Sequence, residues 1–310
     1  MKKYGFGVDV GGTTCKLGLF QTDGTLVEKW EIPTDKSDAG KNVLGDIAKA
    51  IDDKMSERSI SKDDVEGIGI GVPGAVTSDG VVNRCVNVGW GVVPLVKNME
   101  EITGMRVRAA NDANIAALGE YWMGAGKGYG SILMVTLGTG IGGGIVIDGK
   151  ILVGSTGSGA EIGHIVVDED EPEQCNCGHH GCIEQYASAT GIVMMAHRFL
   201  ESTGKTSTLS GDFSCKDVLD AAKAGDEIAQ MTIHKVFHML GLTLGTICNV
   251  ANPEAILIGG GVSKAGQIIL DELTDGFKAG AFHACANTKI ELATLGNDAG
   301  IYGGVKLVME

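Results

Sequence analysis

Between Glu161 and Glu184 the sequence concentrates side chains that do chemistry: Glu161-Ile-Gly-His164, an acidic spacer, then Cys175, Cys177, Cys182 and Glu184 in the order C-x-C-x4-C-x-E. Three thiols this close together, with His164 upstream and His179 and His180 between them, supply the donors of a closed tetrahedral zinc site. Packing cysteines have no reason to gather around Gly178 and Gly181 in a polar segment, whereas a loop folding back on a metal needs such turns. The fourth donor stays open among His164, His179 and His180. Such a knot would pin Glu161 and Glu184 on its two sides.

A second chemistry resides in glycine turns. Asp9 precedes Gly11-Gly12-Thr13-Thr14, with Lys16 just beyond, and Gly138-Thr139-Gly140-Ile-Gly-Gly-Gly144 repeats the theme. Gly138-x-Gly140-x-x-Gly143 matches a dinucleotide fingerprint, but a strand and an Asp-Gly turn follow where that fingerprint requires a helix, so NAD binding is rejected. No P-loop signature occurs. A hairpin glycine turn still cradles phosphate through its backbone N–H groups. Asp9 beside such a turn suits magnesium, and Lys16 suits phosphate charge. Asp112 is the candidate general base, although an Asn-Asp pair before a helix, taken alone, reads as an ordinary cap. Asn87, Asn111, Glu161, His164 and Glu184 carry acceptors and donors suited to sugar hydroxyls.

These residues must be held by regular elements. Tyr4 to Val10, Cys15 to Phe20 and Leu26 to Ile32 read as a three-strand meander with Asp23-Gly24 as its second turn. Val43, Ile47, Ile51 and Met55 mark one face of a helix over residues 41–55. A strand from Val65 to Val72 ends at Pro73-Gly74, and a short strand at Val107 leads into Asn111-Asp112 at the start of a helix running to Tyr121. At Ser131 the opening pattern recurs, with strands Ile132 to Leu137 and Ile145 to Ile147 around the second glycine turn and Asp148-Gly149 beyond it. The chain therefore reads as one fold unit used twice. Glu184 to Phe199 reads as a helix, Asp226 to Val250 as a long one, and Val262 to Phe277 as another after Gly259-Gly260-Gly261.

The 310 residues, 44% hydrophobic, allow a large core and suit two domains. A formal charge of −14 repels nucleic acid and anionic lipid as main partners. Neither a signal-like start nor an apolar run of about 18 residues is present, which points to the cytoplasm. Cys15, Cys85, Cys215, Cys248 and Cys285 show no pairing rhythm and read as packing residues of a reducing compartment.

Together these stretches resemble the bacterial ROK (repressor, ORF, kinase) sugar kinases, most of all the glucokinases, within the actin-like, hexokinase-type ATPase superfamily. The resemblance is carried by Asp9-Val-Gly-Gly-Thr-Thr-Cys-Lys16, Gly71-Val-Pro-Gly74, Asn87-Val-Gly-Trp90, Asn111-Asp-Ala-Asn114, Leu137 to Gly144, Glu161 to His164, Cys175 to Glu184 and Gly259-Gly-Gly-Val-Ser263, in family order over nearly the whole chain. It implies an α/β protein with a duplicated actin-like (ribonuclease H-like) fold, two lobes and an interlobe cleft. The smaller lobe is expected over residues 1–118, with the terminal helix of about 296–310 packing back on it, and the larger over 119–295.

The resemblance also implies ATP-dependent phosphorylation of a hexose 6-hydroxyl, with glucose as the expected substrate. N-acetylmannosamine, allose and fructose are the alternatives within the family. Asp112 would take the hydroxyl proton, while Gly74, Asn87, Asn111, Asp112, Glu161, His164 and Glu184 would hold the sugar. Asp9, Gly11, Gly12, Thr13, Thr14, Lys16, Gly138, Thr139 and Gly140 would serve the phosphates and magnesium, with Gly259, Gly260 and Gly261 near adenosine. His164, Cys175, Cys177 and Cys182 would bind structural zinc. A homodimer or higher homo-oligomer is implied too. The alternative from another class, a sugar-sensing repressor, carries a DNA-binding segment before the first phosphate loop, whereas here Asp9 already stands at that loop.

Overall fold

Alternating apolar positions broken by tight turns build the first sheet. The computed structural model describes residues 2–310. β1 (Tyr4–Val10) and β2 (Thr14–Gln21) form a hairpin, and Asp23-Gly24, with Gly24 at φ 96°, turns the chain into β3 (Leu26–Pro33). α1 (Val43–Glu57) buries Val43, Ile47, Ile51 and Met55 on one face, the rhythm read from the sequence. β4 (Val65–Val72), α2 (Leu95–Thr103), β5 (Val107–Asn111) and α3 (Asp112–Met123) follow. The sheet runs β3-β2-β1-β4-β5, with β1 antiparallel to β2 and parallel to β4, and β4 parallel to β5. Phe6, Leu17, Ile47, Ile68, Leu95 and Met99 lie at the centre of its core.

The second half repeats this plan with β6 (Ser131–Leu137), β7 (Ile141–Ile147) and β8 (Lys150–Ile151). Four helices come next, α4 (Glu184–Ala187), α5 (Ala189–Thr203), α6 (Cys215–Lys223) and α7 (Glu227–Ala251). β9 (Ala255–Gly259), α8 (Gln267–Gly280), β10 (Lys289–Leu292) and α9 (Ala299–Val308) complete the chain. Read from its β8 edge, the second sheet is β8-β7-β6-β9-β10. That is the order of the first sheet, a meander followed by two further strands, and β9 and β10 are parallel as β4 and β5 are. The duplication is present in the strand order.

By contact the chain divides into two units: residues up to Ile132 with Gly144–Ala160 and Thr294–Glu310, and Leu133–Gly143 with Glu161–Ala293. The first unit extends beyond residue 118 because α3 continues to Met123 and its fully buried Glu120 binds the backbone of Thr294 and Leu295. α9 belongs to this unit through backbone contacts that admit no side chain. A Cβ on Gly69 would lie 1.7 Å from the Gly304 carbonyl oxygen, and one on Gly7 would lie 1.8 Å from that of Ile301.

Three local readings are corrected. β7 begins at Ile141, inside the glycine run, because glycines offer no side-chain alternation to mark a strand edge. Between Glu184 and Phe199 the helix is broken at Ser188, which is extended and caps α5 by accepting the Gly191 N–H at 3.1 Å. After Gly261, Val262–Ala265 is a short 3-10 turn, and Gly266 at φ 81° separates it from α8. Apolar periodicity continues across both breaks and conceals them.

Candidate active site and metal cluster

In the first unit the parallel strands bring their carboxyl ends together. Asp9 of β1 pairs with Gly71 of β4, and Val72 of β4 with Asn111 of β5. Ligands of open α/β sheets collect beyond such strand ends. Asn111 caps α3, its Oδ1 accepting the N–H groups of Ala113 and Asn114 at 2.9 and 3.3 Å. Its Nδ2 donates to the Gly74 carbonyl at 3.3 Å, which ties the cap to the Pro73-Gly74 turn. A Cβ on Gly74 would meet the Arg84 carbonyl oxygen at 2.3 Å, so the segment carrying Asn87 crosses this turn closely.

Asp112 stands on the first turn of α3, partly buried, with Oδ1 accepting the Ala113 N–H at 2.8 Å. Burial pushes the Cys85 thiol up, and the Asp112 charge adds to that rise.

The first glycine turn is built against this group. A Cβ on Gly12 would sit 3.2 Å from the Asn87 carbonyl oxygen. The Gly11 N–H closes the turn on Thr14 at 3.0 Å, and Thr34, which no motif marked, donates its hydroxyl to the Gly11 carbonyl at 2.7 Å. Thr13 is exposed. Burial raises the Asp9 carboxyl and Lys16 opposes the rise. Gly300 faces that carboxylate, where a Cβ would approach its Cγ to 2.8 Å. A carboxylate so placed fits a divalent cation, whose charge offsets the burial. The Lys16 ammonium donates to the Asn297 carbonyl at 3.2 Å.

In the second unit, one donor atom each from His164, Cys175, Cys177 and Cys182 lies within 4.8 Å of the others. The His164 Nδ1 to Cys175 Sγ distance is 3.7 Å, and Cys177 Sγ to Cys182 Sγ is 3.6 Å. A tetrahedron with metal–sulfur bonds of about 2.3 Å separates its ligands by roughly 3.8 Å, so the donor set fits such an ion. Burial and the neighbouring thiols push Cys182 up to about 12. His179 and His180 stay outside the cluster: His179 is exposed, and His180 Nδ1 lies 3.0 Å from the Glu171 carbonyl.

Behind the cluster is a pair that sequence reading missed. Glu171, with a side chain 1% exposed, takes two bonds of 2.7 Å from Arg198 and one of 2.7 Å from the Tyr186 hydroxyl. The only signal was an acidic residue in a spacer and an arginine on α5. On the flanks of the cluster, Glu161 is exposed and Glu184 partly buried, its Oε2 accepting the Ile141 N–H at 2.8 Å. The second glycine turn closes by a Gly138 N–H bond to Gly140 at 3.0 Å, while Thr139 is exposed. Gly260, at φ 85°, lies against Leu137, so the turn Gly259 to Gly261 abuts the residue before Gly138.

The profile of the ROK family matches residues 5–310. The chain belongs to the ROK family. It is 46% identical over 312 residues to a glucokinase of Halalkalibacterium halodurans, covering 98% of this chain and 94% of that one. A glucokinase of Thermotoga maritima is 36% identical, with 98% and 96% covered. Among solved structures, a ROK family glucokinase from Streptomyces griseus in complex with glucose and AMPPNP superposes with a TM-score of 0.76 at 33% identity, covering 98% of each chain. The ROK motifs thus fall into two groups: Asp9 to Lys16, Gly74, Asn87, Asn111 and Asp112 in the first unit, and Gly138 to Gly140, Glu161, His164, the cysteines, Glu184 and Gly259 to Gly261 in the second.

Proposed function

We propose that this protein is an ATP-dependent glucokinase that converts glucose to glucose 6-phosphate. The observation that carries the reading is Asp112, whose carboxylate accepts the Ala113 N–H on the first turn of α3 and which directly follows the Asn111 that binds Gly74, in a chain 46% identical to a glucokinase. Asp112 accepts the proton of the 6-hydroxyl. The freed oxygen forms a bond to the γ-phosphorus, the bond from that phosphorus to the β–γ bridging oxygen breaks, and ADP leaves with the electron pair. Because the transition state is loose, alignment and charge neutralisation contribute most, and the base acts late.

In this reading Gly74, Asn87 and Asn111 hold sugar hydroxyls from the first unit, and Glu161, His164 and Glu184 do so from the second. The turns Gly11 to Thr14 and Gly138 to Gly140 bind phosphates through backbone N–H groups, with Lys16 adding charge and Gly259 to Gly261 lining the adenosine side. Magnesium belongs at Asp9, where it neutralises phosphate charge. Zinc belongs with His164 Nδ1 and the three thiols, which leaves His164 Nε2 for the sugar. The cytoplasm keeps those thiols reduced. Self-association into a homodimer or higher homo-oligomer is part of the same reading, and light scattering tests it.

The test is ADP release with a panel of glucose, N-acetylmannosamine, allose and fructose. Glucose is expected to give the highest kcat/KM. An enzyme silent with every hexose would end the proposal.

A further inference from the structure

The proposed role of Glu184 is toward sugar, yet one of its oxygens is already committed. Its Oε2 accepts the N–H of Ile141, the residue that leaves the second glycine turn, at 2.8 Å. A Cβ on Gly140 would fall 2.2 Å from the same oxygen, so the carboxylate occupies the space that a missing side chain leaves. The start of α5 grips the turn as well. The Ala189 N–H donates to the Gly138 carbonyl at 2.8 Å, and the Thr190 hydroxyl donates to that of Thr139 at 3.2 Å. From the opposite flank of the cluster, Gly163 packs on Ile141, where a Cβ would come within 2.3 Å of its carbonyl oxygen.

A turn built of Gly138, Thr139 and Gly140 has few side-chain contacts of its own to fix it, and glycine backbone costs the most entropy to order. N–H groups that bind an anion act best when their directions are set beforehand. Here the fixing groups come from residues 184–190, and both flanks of that grip adjoin cluster residues: Cys182 is two positions before Glu184, and His164 follows Gly163. We propose that Glu184 and Thr190 are positioning residues for the second glycine turn and set its affinity for the nucleotide phosphates. This rests on the reading that the turn holds phosphate.

The test is equilibrium binding of AMPPNP with magnesium by calorimetry, without sugar, on zinc-loaded protein. Thr190→Val, an isosteric change at a side chain outside the sugar contacts, is expected to weaken binding about 3-fold. Glu184→Ala is expected to weaken it about 10-fold or more and to speed hydrogen exchange at the Ile141 amide. Glu184→Gln keeps an acceptor for that amide and should restore both readouts to within about 3-fold of wild type. If all three variants bind AMPPNP as wild type does while Glu184→Ala loses only glucose affinity, the positioning role is overturned. If wild type itself binds no AMPPNP, the phosphate reading falls and takes this inference with it.

Discussion

Glu120, without solvent exposure, accepts the backbone N–H of Leu295 at 2.7 Å, and its other oxygen accepts those of Ala125 and Thr294 at 2.9 and 3.1 Å. One carboxylate thus satisfies three N–H groups, two of them at the point where the chain returns from β10 toward α9. Glu120→Ala strands those donors, at about 1–3 kcal/mol each, so a loss of at least roughly 3 kcal/mol is expected. Calorimetric unfolding of the variant would show a drop of several degrees. An unchanged transition would mean that water replaces the carboxylate at no cost.

Asp112→Asn keeps an oxygen for the Ala113 N–H and so preserves the start of α3. What it removes is a group that can take a proton. We expect kcat to fall by roughly 10²–10⁴ while the glucose Kd stays within about threefold. Residual turnover above half of wild type would strip Asp112 of its role.

Gly69→Ala tests the packing of α9 on the first sheet. Its Cβ would overlap the Gly304 carbonyl at 1.7 Å, and backbone on both sides leaves nowhere to yield. A cost of about 3 kcal/mol or more is expected, read as loss of soluble protein or a lowered denaturant midpoint. Gly45→Ala, where no described residue outside the adjoining turns of α1 lies within 4 Å of the added Cβ, is the matched control and should be neutral or slightly stabilising.

Acid stability should depend on Glu171. The Arg198 guanidinium holds its carboxyl at about 2, against an ordinary 4.5, with the Tyr186 hydroxyl adding to the effect and burial opposing it. A carboxyl with a depressed folded-state pKa contributes stability above its unfolded value and loses it as pH falls. The window is therefore from about 4.5 down to about 2, and the contribution is on the order of 3 kcal/mol. Urea midpoints measured across that range should fall more steeply for wild type than for Glu171→Gln. Parallel slopes would assign the acid limb to other groups.

Much of this was legible from the chain because it lies in short-range pattern. The Asp-Gly turns, the four-residue rhythm of α1 and the recurrence of a glycine turn after a strand gave both meanders, and the cysteine spacing gave the cluster. What stayed hidden depends on partners far apart in sequence. Glu120 meets Thr294 across 174 residues, Glu184 meets Ile141 across 43, and Glu171 meets Arg198 across 27. Each is a buried or partly buried carboxylate whose sequence context reads as an ordinary charged position, since burial and pairing are properties of the fold. The histidine of the cluster was open for the same reason: three histidines sit near the cysteines in sequence, and only the folded loop brings the His164 ring among the three thiols.

That selection can be checked directly. Cys177 is the exposed member of the cluster, so Cys177→Ser removes a proposed zinc ligand without opening a core cavity, and a loss of stability would report on the proposed metal. Purified wild type is expected to carry about one zinc per chain by mass spectrometry, with Cys177→Ser and His164→Ala depleted and unfolding at lower temperature. Because His180 Nδ1 faces the Glu171 carbonyl and His179 is exposed, His179→Ala and His180→Ala should keep their zinc. Zinc lost from either of those two, with His164→Ala still loaded, would move the fourth donor away from His164 and free that ring from the cluster altogether.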